Sequence, residues 1–160
     1  MDDSDIEKLY TSYLKKELFL NREGQWFHNG TAFTHKRLSE LFHRSLVWDP
    51  ELKEYVLRIG RGRATFSHEG FIRFVISLQE VEDQDAESCV RAHFIGGEVE
   101  ALHPERLRLT EDESFVLLSE GRPPARLTRN AHQLLLEYGE SERSIVMGGR
   151  TYTIPYFEGE

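Results

Sequence analysis

The chain has 160 residues, with 20 Lys or Arg against 28 Asp or Glu, so its net charge is −8 with histidine neutral. This length suits one domain or two small lobes, and ten Phe, six Tyr and two Trp can supply a core. No run approaches the ~20 apolar residues of a membrane span, and the acidic balance argues against general nucleic-acid binding.

The first predicted element is an amphipathic helix over 4–18, which Ser4 can cap. Its apolar residues recur at helical spacing and predict packing on the first lobe. They are Ile6, Leu9, Tyr10, Tyr13 and Leu14. The polar start is unlike a secretory signal, and the single cysteine, Cys89, suits a reducing compartment, so we expect a cytoplasmic protein.

A hairpin over 18–21 and 25–28 is predicted next, followed by a turn at Asn29-Gly30, where both residues tolerate positive φ. Thr34 then predicts the N-cap of a second helix, which Asp49-Pro50 ends. Its predicted buried face consists of Leu38, Leu41, Phe42 and Leu46.

The middle of the chain is β-rich. Strands are predicted at 55–59, 63–67, 71–78, 90–95, 98–102, 106–109 and 115–118. The acidic stretch 79–88 is interpreted as a solvated connector. A third helix over 129–138, capped by Thr128, and a hairpin over 144–147 and 151–156 close the chain.

The two halves of this pattern match, since both run strand, strand, Thr-capped helix, strand, Gly-Arg turn, strand. Phe33-Thr34 aligns with Leu127-Thr128, and Gly62-Arg63 aligns with Gly149-Arg150. This match predicts an α+β fold with two similar β-β-α-β-β lobes that arose by internal duplication, although any α+β chain offers some alternation. The predicted domains are an N-terminal helix at 1–18, a first lobe at 19–80 and a second lobe at 81–160.

Catalytic patterns are scarce, so we lean towards a protein that is not an enzyme. Ser67-His68-Glu69 holds the residue types of a triad, but neighbouring strand residues point to opposite faces. The seven histidines show no local metal-site spacing, and no second cysteine exists to help. We expect no cofactor and no metal. A hydrolase or transferase with a dispersed site stays the third alternative.

Positive charge is concentrated between His35 and Arg73, where eight bases face five acids. Gly-Arg doublets stand at 60–61, 62–63, 121–122 and 149–150. A glycine turn exposes backbone N–H groups, and an adjacent arginine adds a planar fork that fits phosphate or carboxylate. Several such turns together would make an anion site; the alternative is that each arginine keeps its turn soluble.

Two parts of the chain resemble a known family. The stretch Arg22–Phe42 resembles the opening motif of the bacterial family catalogued as domain of unknown function 1285. It reads R-E-G-Q-W-F-H-N-G-T-A-F-T-H-K-R-L-S-E-L-F. Pro124–Gly139 and Ile145–Ile154 are similar to that family's closing helix and final hairpin. Departures are Glu23 in place of Asp, Asn130 in place of Pro, and Met147-Gly148 in place of Trp-Ser.

This resemblance implies two related lobes, the second loosely like a pleckstrin-homology fold, and no established catalytic activity. It also implies a site at the lobe interface for a nucleotide-like molecule and a part in signalling. The positions that match its motif are Trp26, Gly30, Arg126 and Arg129.

We therefore predict a non-enzymatic ligand-binding or signalling module that holds a small anion between its lobes. The predicted ligand-binding residues are Trp26, Arg58, Arg61, Arg63, Arg126, Arg129 and Arg150. The alternative is an adaptor that binds a protein partner through a strand edge or the N-terminal helix.

Overall fold

The structure is a computed structural model that describes residues 17–82 and 90–158. Contacts divide the chain into two compact units, one ending at Ile72 and the other beginning at Arg73. The helix predicted at 4–18 lies outside the described residues, except that Leu18 opens the first strand. Cys89 and most of the predicted acidic connector also lie outside them.

The first unit contains two small sheets and one helix. Its elements are β1 (Leu18–Leu20), β2 (Trp26–His28), β3 (Thr31–Ala32), α1 (Lys36–Arg44), β4 (Leu46–Asp49), β5 (Glu54–Ile59), β6 (Gly62–Ala64) and β7 (Ser67–His68). One sheet has the order β3-β2-β1-β7, in which β7 runs parallel to β1, and the other is the meander β4-β5-β6. The predicted turn between β2 and β3 is confirmed, since Asn29 and Gly30 have φ of 47° and 83°.

The first helix differs from its prediction at both ends. Its N-cap is His35, whose Nδ1 accepts a hydrogen bond from the N–H of Leu38 at 3.2 Å, so the prediction of Thr34 was wrong by one residue. The helix ends at Arg44 and not at Asp49-Pro50, and Leu46–Asp49 is a strand. Val47 and Trp48 favour strands, and they pair there with β5.

Aromatic rings form the core of the first unit around Trp26, whose side chain has no exposed area. The ring centroids of Phe42, His43 and Phe66 lie 5.3, 5.6 and 5.1 Å from that of Trp26. His43 also hydrogen-bonds through Nε2 to the carbonyl oxygen of Gly24 at 3.0 Å. Burial lowers the pKa of His43 from 6.5 to about 4, so the ring is neutral at neutral pH.

The second unit is built on a six-stranded sheet with the order β10-β9-β8-β13-β12-β11. Its elements are β8 (Arg73–Glu80), β9 (Val90–Phe94), β10 (Val99–Ala101), a 3₁₀ turn (Pro104–Arg106), β11 (Leu107–Leu109), β12 (Phe115–Ser119), β13 (Arg122–Leu127), α2 (Arg129–Leu136), β14 (Gly139–Ser141), β15 (Ser144–Met147) and β16 (Arg150–Thr153). β8 pairs with β9 and β13, so this strand belongs to the second unit by its contacts.

Two strands of the second unit were missed from the sequence. β13 contains Pro123 and Pro124, which cannot donate to a ladder. Both prolines fall where the pairing with β12 shifts register, and the pairing with β8 begins only at Ala125. The other missed strand, β14, is a short exposed edge next to β15. The α+β class is confirmed, with more strand than predicted.

Both units contain the same order of elements: a three-stranded antiparallel meander, a helix and a second three-stranded meander. Leu38 and Phe42 are the third and seventh residues after the cap His35, and Ala131 and Leu135 hold these offsets from the cap Thr128. All four are buried. The internal duplication and the likeness to a pleckstrin-homology fold stay predictions.

Candidate functional site

The predicted arginines of the first unit differ in their contacts. Arg63 donates from Nη1 to Oδ2 of Asp49 at 2.9 Å and lies 3.4 Å from Oε2 of Glu51. Asp49 is 3% exposed and also accepts the N–H groups of Leu52 and Glu51. These hydrogen bonds hold the pKa of Asp49 below its usual range. Arg63 therefore balances a carboxylate of its own unit, and its role as a ligand-binding residue stays a prediction.

Trp26, Arg58 and Arg61 lie in three different settings. Trp26 is enclosed by the aromatic core of its own unit and has no exposed area, and its role as a ligand contact stays a prediction. Arg58 is exposed on β5, and Arg61 is exposed in the turn that follows. Their predicted convergence with arginines of the other unit stays a prediction.

The second unit holds the remaining predicted arginines. Arg126, on β13, is half-buried and donates from Nε and Nη2 to Oγ of Ser114, at 3.4 and 3.2 Å. Arg129 is exposed at the first residue of α2, and Arg150 is exposed at the start of β16. Of these three, Arg126 acts electrostatically on His132, a residue that lines a cleft.

Three clefts that are lined by described residues differ in whether the charged side chains that line them already have partners within the protein. In a cleft of about 480 Å³, Ser119 donates to Glu100 at 3.3 Å and Arg106 lies 4.0 Å from Glu120. A cleft of about 510 Å³ in the first unit has two glutamates and no lysine or arginine among its described lining residues. A third cleft, of about 320 Å³, contains an arginine with unpaired nitrogens, and we call it the α2 cleft.

The α2 cleft lies beside the second helix, between the β11–β12 turn and the chain after β16. Its lining residues are Leu109, Thr110, Glu111, Glu113, Phe115, His132, Leu136, Glu142, Arg143 and Tyr156. The last of these comes from the C-terminal segment, which is fixed to β11 by two hydrogen bonds. The N–H of Leu109 donates to the carbonyl oxygen of Pro155 and its own carbonyl accepts from Phe157, each at 2.9 Å.

Arg143 supplies the charge of one wall. Its guanidinium carbon lies 4.2 Å from the ring centroid of Tyr156, a cation–π contact, and its Nε donates to the carbonyl oxygen of Ile154 at 3.1 Å. These two contacts fix the plane of the half-buried guanidinium. Its two terminal nitrogens donate to no acceptor in the described part of the chain, which leaves a fork for a ligand.

The floor combines an aromatic ring with a neutral imidazole. The ring of His132 lies 4.8 Å from that of Phe115, centroid to centroid. Burial lowers the pKa of His132 from its usual 6.5, and the charge of Arg126 lowers it further. In the neutral form one ring nitrogen donates and the other accepts a hydrogen bond, and neither bonds to a described residue.

Charge is distributed by depth in the α2 cleft. The guanidinium of Arg143 and the neutral ring of His132 are half-buried, whereas Glu111, Glu113 and Glu142 are exposed at the rim. Solvent screens exposed charges more strongly than partly buried ones. Among the lining residues, the half-buried charge is therefore the guanidinium of Arg143, and the three carboxylates are more strongly screened.

Sequence reasoning identified Arg126 but missed Arg143, His132 and Tyr156. Arg143 belongs to no Gly-Arg doublet, and Tyr156 reaches the cleft only because its segment pairs with β11. His132 carried one usable signal, since it lies three residues after Arg129 on the same helix face.

Neither a metal centre nor a catalytic triad is seen in the described residues. No group of three or more His, Cys, Asp or Glu side chains there could hold a metal ion. The residues of Ser67-His68-Glu69 have separate partners: the carbonyl oxygens of Leu18 and Gly70, and the N–H of Arg22. No helix in the same residues is both long and apolar enough to cross a membrane.

Comparison with known proteins finds similarity at the level of the fold. No family model matches the sequence, and no curated protein matches it. The crystal structure of a domain of unknown function 1285 family protein from Silicibacter pomeroyi is similar, with a TM-score of 0.63 and 13% identity over 87% of this chain and 79% of that chain. One from Shewanella baltica gives 0.54 and 19%, over 72% of this chain and 86% of that chain. The resemblance stated from the sequence motifs is therefore supported.

Proposed function

We propose that this protein is a non-enzymatic ligand-binding module and that the α2 cleft binds a small organic anion. One observation carries the proposal: Arg143 is half-buried, its guanidinium carbon lies over the ring of Tyr156, and its two terminal nitrogens have no acceptor among the described residues. A partly desolvated guanidinium without an acceptor favours an incoming carboxylate or phosphate, because charge-assisted bonds are roughly twice as strong as neutral ones.

The other walls determine which anion fits. Leu136 and Tyr156 are 54% and 53% exposed, so each offers an apolar surface that a ligand would cover. His132 supplies a donor and an acceptor at the floor. A ligand with one acidic group and a flat, partly apolar body uses all of these contacts. The cleft volume, about 320 Å³, is at the lower end of the range for ligand sites and suits a small molecule.

A nucleotide-like molecule has this chemistry, which agrees with the ligand class expected from the family resemblance. Its phosphate would bind Arg143, and its base would stack against Tyr156 or Leu136. The exposed glutamates at the rim would repel a second and third phosphate, so a monophosphate is favoured over a triphosphate. Such a module would take part in signalling by changing its stability or partner binding when the nucleotide is present.

Isothermal titration calorimetry with adenosine monophosphate, adenosine and inorganic phosphate tests this proposal. We expect the monophosphate to bind the wild-type protein. Arg143→Gln should weaken that binding tenfold to hundredfold, since a charged hydrogen bond contributes about 1.5–3 kcal/mol. Binding of adenosine, which lacks the phosphate, should change little in this variant.

Arg91→Gln is the matched control, because Arg91 is an exposed arginine of the same unit, on β9 outside the cleft. It removes one positive charge and should leave the affinity within about twofold of wild type, as expected for a distant screened charge. Equal losses in the two variants, or no heat with any of the three probes, would exclude the α2 cleft as the anion site.

A further inference from the structure

The strand β4 has an unpaired edge with an apolar surface. It is the first strand of the meander β4-β5-β6, and no described strand pairs with its outer side. Val47 and Trp48 are 38% and 52% exposed, and Leu52, in the following turn, is 41% exposed. Trp48 contacts the ring of Tyr55 edge-on, at 5.3 Å between centroids, so this surface is rich in aromatic area.

The backbone at this edge can accept another strand. The N–H of Arg58 donates to the carbonyl oxygen of Ser45, so residue 45 faces β5. Hydrogen-bonded positions alternate in an antiparallel pair, so Val47 and Asp49 also face β5. The N–H and C=O groups of Leu46 and Trp48 therefore point outwards.

Proteins usually protect such an edge, and β4 has two protective features, its short length and the inward-pointing Asp49. Lysine, proline within the strand or an inward-pointing charge commonly blocks pairing with another chain. β4 reads Leu-Val-Trp-Asp, and its only charge, Asp49, is bound by Arg63 and by two N–H groups of its own turn. The exposed residues are the apolar ones.

We propose that β4 pairs antiparallel with β4 of a second copy of this chain across a twofold axis. With Val47 opposite the partner's Val47, the outward-pointing N–H and C=O groups of Leu46 form hydrogen bonds with those of the partner's Trp48. The two three-stranded meanders then join into one six-stranded sheet. Trp48 and the partner's Trp48 then lie on the same face of the joined sheet, on either side of the twofold axis, and Leu52 lies at the periphery of the contact. Buried tryptophan is the residue type that most often dominates such interfaces.

Charge selects this arrangement over a parallel one. Arg44 precedes β4 and Glu51 follows it, and both are exposed; the side chain of Glu51 is 81% exposed and lies 3.4 Å from Nη1 of Arg63, a contact that a second cation can share. Antiparallel pairing brings Arg44 of each copy towards the partner's Glu51, whereas parallel pairing would place like charges together. A second copy is therefore complementary to this edge in backbone hydrogen bonding and charge.

Sedimentation equilibrium over a wide range of protein concentration tests the proposal. The wild-type chain should dimerise, and Val47→Lys should raise the dimer dissociation constant at least tenfold. Val146→Lys is the matched control, because Val146 is 39% exposed on the central strand β15. It should leave the constant within about twofold, since a scattered surface substitution has little effect.

A charge exchange separates this geometry from nonspecific association. Arg44→Glu and Glu51→Arg should each weaken the dimer several-fold, and the double variant should restore the wild-type constant. The proposal is overturned if the wild-type chain stays monomeric, if Val47→Lys and Val146→Lys have equal effects, or if the double variant is weaker than both single variants. Circular dichroism of every variant confirms that the fold is retained.

Discussion

Trp26→Ala should lower the free energy of unfolding of the first unit by about 3–5 kcal/mol, the range for removing a large aromatic side chain from a packed core. The indole has no exposed area, and three aromatic rings lie within 5.6 Å of it, centroid to centroid. Rings on several sides cannot all move into the space, so a cavity remains. Urea denaturation followed by circular dichroism measures the loss.

Trp48→Ala is the control for this substitution, because it removes the same side chain from a position that is 52% exposed. Measured at a protein concentration where the chain is monomeric, it should cost no more than about 1 kcal/mol. Similar costs for Trp26→Ala and Trp48→Ala would contradict the placement of Trp26 at the centre of the core.

Acid should destabilise the first unit through His43. The pKa of this histidine is about 4 in the folded chain and about 6.5 when unfolded, so between these values the unfolded state binds a proton that the folded state does not. The contribution of His43 to the free energy of unfolding is therefore fully present above pH 6.5. It is lost as the pH drops towards 4, and nothing further is lost from this group below pH 4. The total loss is about 3 kcal/mol, at about 1.36 kcal/mol for each pKa unit.

His43→Gln tests this expectation, because glutamine can still donate to the carbonyl oxygen of Gly24 but does not titrate. Urea denaturation at pH 7 and at pH 4.5 should show a smaller loss in the variant than in the wild type. Carboxylates elsewhere titrate in both proteins and cancel in the difference. Parallel losses in the two proteins would mean that His43 is not the acid-sensitive group.

The sequence predicted those elements that are determined by the conformational preferences of a few neighbouring residues. The Asn29-Gly30 turn follows from residues that tolerate positive φ, and both adopt it. The first helix was placed within one residue at its start because Thr34 and His35 can each cap a helix. Its end was not predictable: Leu46 continues the helical spacing, and only pairing with β5, which begins five residues after β4 ends, makes it a strand.

The α2 cleft was less accessible to sequence reasoning, because its parts come from distant segments. Phe115, His132 and Tyr156 meet only after the C-terminal segment pairs with β11. The Gly-Arg doublets drew attention to arginines at turns, whereas the arginine with the open fork, Arg143, lies in a Glu-Arg pair before β15. A guanidinium becomes a ligand group through burial without an acceptor, and sequence spacing does not report burial.

The titration of His132 by NMR, with and without adenosine monophosphate, tests the anion site most directly. The ring signal is assigned by its loss in His132→Gln. In the free protein the midpoint should lie below 6.5, because burial and Arg126 disfavour the charged ring. A bound phosphate offsets that charge, so the monophosphate should raise the midpoint. Arg143→Gln should reduce the rise. A midpoint that does not move when the monophosphate is bound would contradict an anion site in the α2 cleft.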